Sequence, residues 1–212
     1  MTRGSARTLT RIFSMAVALI VAVPVLARAE DMSVRAKIGI QILSGERVMR
    51  AKSRDRLKAG DMLRIYVHPE HACYVYVIHS DQETATLLNT VEQRVQASTL
   101  VMPSLHQYYQ VDGKSASESF TIICSPNELP EIADAFEEGV APHSQWAGVE
   151  DGLKKESRID LTQESERPFA IAGNVRGAGG SGQAGGDPFS SRLQVYSGRS
   201  LLVKQFSFRV RR

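Results

Sequence analysis

From position 34 to 42 the chain alternates without a break. Val34, Ala36, Ile38, Ile40 and Ile42 stand on one side, and Arg35, Lys37, Gly39 and Gln41 on the other. Successive side chains of an extended strand point to opposite faces, so a period of two describes an antiparallel strand with one face in a core and one in water. The signature returns in short runs. Residues 47–52 read as a brief second strand after the turn at Ser44 and Gly45, and residues 62–67 as a third, with Leu63, Ile65 and Val67 on one face. Residues 73–79 carry Tyr74, Val75, Tyr76, Val77 and Ile78, apolar on both faces, which suits a strand in the middle of a sheet. Further strands are expected at 84–88, 100–102, 108–111, 120–124, 193–196 and 201–210, the last with Phe206, Phe208 and Val210 turned inward. Gly60 and Asp61, Pro69, Asp112 and Gly113, and Ser197 and Gly198 supply turns between them.

Short strands at this spacing predict a mainly β fold, an antiparallel β-sandwich or open barrel that is immunoglobulin-like in general architecture. Few of them reach the roughly 9–11 residues of a membrane-spanning strand, so an outer-membrane barrel is not expected. After Ser125 the period changes. Pro130, Ile132, Ala135 and Phe136, closed by Gly139, describe a short helix. A second is expected over 144–155, with Ser144 as its cap and Trp146, Val149 and Leu153 as its apolar stripe. Trp146 reads there as a packing anchor. Residues 173–187 hold seven glycines and no P-loop lysine with serine or threonine, so they are expected to be a flexible loop within the domain.

The first 29 residues have the form of a cleavable signal peptide. Arg3, Arg7 and Arg11 precede an apolar run from 12 to 26, and Ala27 and Ala29 set an A-x-A cleavage site, so the cut is expected between Ala29 and Glu30. No stable membrane span would remain after cleavage, and residues 30–212 would form a single β-rich domain in the periplasm or outside the cell. Four of the 26 basic residues and none of the 23 acidic ones lie in this leader. The remaining chain therefore carries one more acid than base, and that balance argues against a nucleic-acid partner. Charge is uneven along it: residues 128–138 hold five acids and no base, and residues 192–212 six bases and no acid.

Residues 57–67, with a Gly60–Asp61 turn opening a strand, and residues 72–77, with Tyr74 and Tyr76 in a Y-x-Y pattern, resemble the opening of the bacterial family catalogued as domain of unknown function 4384. Thr86-Leu87-Leu88-Asn89, Met102-Pro103-Ser104 and residues 120–125 extend the likeness over roughly 50–129. The resemblance implies an exported or surface-exposed β module, often joined to larger signalling or peptidase-like proteins. It carries over no catalytic residue.

Several side chains could carry chemistry. His68, His71, Cys73 and His79 lie within twelve residues, and imidazole and thiolate suit zinc or copper. A strand rises about 3.3 Å per residue, which sets Cys73 and His79 too far apart to share an ion, so the metal candidates are His68, His71 and Cys73. Cys73 with His68 or His71 is the corresponding arrangement for thiol catalysis, but Cys73 opens an apolar strand and lacks the electropositive setting of a reactive thiol. There is no G-x-S-x-G elbow, and Glu137 and Glu138 diverge on a helix. Cys73 and Cys124 are the only cysteines, and in an oxidising compartment they are expected to form a disulfide. The function expected is a non-enzymatic exported binding module of the bacterial cell envelope, without cofactor and with an envelope or secreted protein partner. A periplasmic metal-binding protein is the alternative, and a hydrolase-like enzyme the third reading.

Overall fold

The computed structural model describes residues 33–89, 94–95, 98–157 and 188–211. The leader, its cut at Ala29 and Glu30, and the glycine-rich segment 173–187 lie outside the described residues. Two sheets face each other. The first contains β1 (Val34–Ser44), β2 (Arg47–Arg50), β4 (Met62–Pro69), β8 (Leu100–Met102), β9 (Tyr109–Gln110) and β12 (Gln194–Gly198). The second contains β3 (Arg56–Lys58), β5 (Cys73–Ser80), β6 (Thr84–Leu87), β7 (Arg94–Val95), β10 (Ser117–Ser125), β11 (Val140–Pro142) and β13 (Leu202–Arg211). The fold is a mainly β sandwich as expected, and its two sheets do not close into a barrel. Every pairing is antiparallel except that of β3 with β13, which is parallel.

The alternation in β1 sets its inner side as the period requires, but the other side is not left to water: Gly39 and Gln41 on it are buried as well. Ala36, Ile38, Ile40 and Ile42 enter the core between the sheets, where they meet Val75, Val77, Phe120, Ile122, Phe206 and Phe208 from the second sheet. β5 is buried on both faces. Val75 and Val77 point into that core, while Tyr76 and Ile78 point the other way, into a second apolar layer beneath α1 (Pro130–Ala135) and α2 (His143–Glu156). Trp146 is fully buried there, its ring 5.4 Å from that of Phe136. The Leu129 N–H at the start of α1 donates to the Tyr76 hydroxyl at 2.9 Å, so a strand side chain satisfies a helix-end donor that no cap residue takes. Burial of the Tyr76 phenol pushes its pKa above the ordinary value.

The outer face of the first sheet is covered differently. A 3-10 turn, Pro188–Arg192, lays Phe189 against Tyr66 with ring centroids 4.9 Å apart. Gly39 sits under the residue that follows this turn, and a Cβ there would lie 2.7 Å from Leu193 Cδ2. The absence of a Cβ lets the Leu193 side chain lie directly on the strand, and a larger residue would displace that side chain's end. Beside it, Arg64 donates from Nε to the Gln107 carbonyl at 3.1 Å and stacks over the Tyr108 ring at 3.8 Å.

Several local expectations are revised. β4 includes Pro69 as its last residue, paired with Ala36, because a missing N–H costs least at a strand end. Ser197 and Gly198 belong to β12, and the reversal into β13 falls at residues 199–201. β3, β7 and β11 were not expected. They are two or three residues long, too short to show a period.

Two glycine substitutions separate helix propensity from close packing. Gly148 lies in α2 with nothing near its missing Cβ, so Gly148→Ala should stabilise the domain by about 0.5–1 kcal/mol. At Gly198 a Cβ would collide with the Leu201 carbonyl, and Gly198→Ala should destabilise by about 1–3 kcal/mol. Denaturant titration of both variants checks the opposite signs.

Candidate functional site

The metal candidates do not converge. His68 alternates with Val67 on β4; Val67 points into the core, so His68 stands on the outer face of the first sheet, where its Nδ1 is 3.0 Å from Thr99 Oγ1. Cys73 opens β5 and points into the space between the sheets, so the first sheet's own backbone separates it from His68. His71 is exposed in the turn between the two strands. Among the described residues no group of three or more His, Cys, Asp or Glu is gathered to hold an ion. The metal set His68, His71 and Cys73 is thus corrected.

The disulfide is corrected as well. β5 and β10 are antiparallel neighbours, as a bridge would need, and both cysteines are buried on the same core-facing side. The register misses by two residues: Cys124 faces Val75, not Cys73. That diagonal sets Cα atoms about 7–8 Å apart, beyond the usual bridging range of about 4.4–6.8 Å. The two remain free thiols. Their mutual hydrogen bond lowers the pKa of Cys73, whereas that bond, complete burial and the neighbouring sulfur push Cys124 well up.

His79, too far from Cys73 to share an ion with it, has a different neighbour. It faces the core side of β5 at the end where the sandwich opens, and Glu118 reaches it from β10, with Oε2 3.3 Å from His79 Nε2. The His79 ring lies 4.9 Å from that of Phe120. Together they border a cavity of about 190 Å³ whose other walls include Leu63, Leu88, Tyr109 and Val111. Burial raises the pKa of the Tyr109 phenol. Glu118, 8% exposed, can orient the imidazole as a carboxylate orients a catalytic histidine. A nucleophile does not complete the arrangement: Ser80 and Ser119 neighbour the pair in sequence, and strand alternation turns them to the opposite face. Among the described residues, those that line the cavity include no serine, threonine or cysteine.

Nearby, Asn89 does structural work. Its Nδ2 donates to the Val75 carbonyl at 2.7 Å and its Oδ1 accepts from the Val77 N–H at 2.8 Å. The side-chain amide thus continues the β5 ladder where β6 has ended.

The other concentration of chemistry is a basic edge. The link 51–55 carries the chain from the open edge of the first sheet to that of the second. The Ala51 N–H donates to the Ile40 carbonyl, and the Arg54 N–H to that of Ser207. Edge strands β2 and β3 therefore flank one side of the sandwich. Residues 47–58 contain six bases (Arg47, Arg50, Lys52, Arg54, Arg56, Lys58) and one acid, Asp55. The β3–β13 register adds two more, setting Arg209 directly opposite Arg56 and Arg211 opposite Lys58. Like charges directly opposite destabilise a sheet. Among the described residues none of these eight is in an ion pair with a carboxylate. Arg56, Arg209 and Arg211, with Gln82 and Ser117, line an open groove of about 510 Å³.

In comparisons with known proteins, no family model, no curated protein and no solved structure matches the chain.

Two measurements check the corrections. Alkylation of unreduced, denatured protein should label both Cys73 and Cys124, and a mass lacking both labels would restore the bridge. For His68, burial and then the charge of Lys37 lower the pKa from 6.5. A depressed histidine pKa means that the folded state binds fewer protons than the unfolded one. The contribution of His68 is therefore full above pH 6.5 and is lost as pH falls below it toward the lowered value. His68→Gln should flatten that part of the stability–pH curve, measured by thermal melts.

Proposed function

We propose that the chain is a non-enzymatic, exported binding module of the bacterial cell envelope, and that it engages an anionic partner through its basic edge. The observation that carries this reading is the pair of opposed cation pairs on β3 and β13, a charge arrangement that costs stability and that no carboxylate among the described residues compensates with an ion pair. Binding of an anionic partner would relieve it. The acidic segment 128–138 belongs to α1 and its flanks, which pack on β5, three strands from β3 in the second sheet, so an approaching anion is drawn to the β3 side of the domain. The leader supports export, and the likeness of residues 50–129 to the family of domain 4384 supports a surface-exposed β module. Among the described residues no helix is long and apolar enough to cross a membrane.

Expression of the full chain in a bacterial host, followed by fractionation and N-terminal sequencing, tests export. The expected product begins at Glu30 and is found in the envelope or medium. Cytoplasmic protein retaining Met1 would overturn the reading.

A further inference from the structure

We propose that the partner of the basic edge is an anionic phospholipid surface, on which the domain docks side-on through β2, residues 51–55, β3 and the end of β13. The inference rests on the binding reading above and names its partner.

The argument starts from what is interleaved on that edge. β2 reads Arg-Val-Met-Arg, and its two apolar residues are not buried: Val48 is 44% exposed and Met49 47%. They stand between Arg47 and Arg50, on the strand that leads directly into Lys52, Arg54, Arg56 and Lys58. A bilayer interface accepts both kinds of side chain at once: phosphate headgroups take the bases, and the headgroup–acyl boundary takes short apolar side chains. A purely ionic partner would leave Val48 and Met49 in water.

The geometry of the bases fits the same surface. Cross-strand neighbours are about 4.8 Å apart and residues i and i+2 about 6.7 Å. Arg56, Lys58, Arg209 and Arg211 thus branch from a compact rectangle of backbone positions, and their long exposed side chains can reach several densely packed phosphates at once. The groove bordered by Arg56, Arg209 and Arg211 is open enough to admit one headgroup, with Ser117 as a further hydrogen-bonding wall. Single-stranded nucleic acid is bound by aromatic stacking as well as charge, and no aromatic residue occurs between positions 47 and 58. The nearly neutral balance of the chain outside its leader makes the attraction local, so it orients the domain on the surface.

The test uses the protein as purified from the cells that produce it, with sedimentation against phosphatidylglycerol-containing vesicles, against pure phosphatidylcholine vesicles and against a single-stranded oligonucleotide. Each base near an anionic surface contributes about fivefold to partitioning at low salt. The variant Arg56→Gln/Lys58→Gln/Arg209→Gln/Arg211→Gln should therefore lose on the order of a hundredfold or more. Val48→Ser/Met49→Ser should weaken binding while leaving its salt dependence unchanged. The leader, if retained, is common to all variants and cancels in the comparison. The Gln variant should melt no lower than the parent, since it removes like-charge opposition. If it fails to fold, Arg209→Gln/Arg211→Gln gives the same comparison at reduced size.

Equal binding to both vesicle types overturns the proposal. So does undiminished binding of the Gln variants, or binding of the oligonucleotide in place of vesicles. An exported protein that ignores vesicles sinks this inference and leaves the envelope module standing. A cytoplasmic protein that binds them does the reverse.

Discussion

The domain is organised by a strand that has no solvent face. β5 is paired on both sides, by β10 along one edge and by β6 and β7 along the other, and each of its faces belongs to a different apolar layer. Val75 and Val77 hold the two sheets together. Tyr76 and Ile78 seat the helices, and the Tyr76 hydroxyl takes the donor at the start of α1. Removing a buried strand of this kind would open both layers at once. Even the gap left between β6 and β7 is closed, by the amide of Asn89 acting as a piece of strand backbone.

The parts of this plan that were legible in the amino-acid sequence are those whose signal is local. The alternation of β1, the doubly apolar run of β5, the inward Phe206 and Phe208 of β13 and the stripe of Trp146 and Leu153 each span several residues, and each is placed as its period requires. β3 was illegible because three residues have no period and because its partner, β13, lies about 150 positions later. The same cause hid the candidate site. Arg56 and Arg209, or His79 and Glu118, become neighbours only through strand pairing. The error over the cysteines is of another kind. The expectation rested on their being the only cysteines in the chain; the strands that carry them do pair and both face the core, and a shift of two residues in register still separates the sulfurs from bonding geometry.

Charge illustrates how an average can mislead. Residues 30–212 carry nearly equal numbers of acids and bases, and on that number alone no strongly charged partner would be sought. Folding separates the signs: five acids stay with α1 and its flanks, and eight bases gather on the edge formed by β2, β3 and β13. A flat composition thus becomes a polarised object. A sheet edge is ordinarily guarded against further strands by charge, and β3 has that protection. The guard needs only the short edge strand itself. It does not account for the matching Arg209 and Arg211 on β13, one strand further in.

The order of pairing also has a consequence in time. β1, near the beginning of the domain, finds one of its neighbours in β12, and β10 finds one of its own in β13. β3 has no described partner until β13 exists. Neither sheet can therefore be completed before residues 194–211 have been synthesised, and such non-local pairings form slowly. A nascent chain emptying from the ribosome remains open until its late strands arrive. That topological lateness works as a timer: the chain stays unpaired along its edges until its last strands have been made, and only then can both layers close.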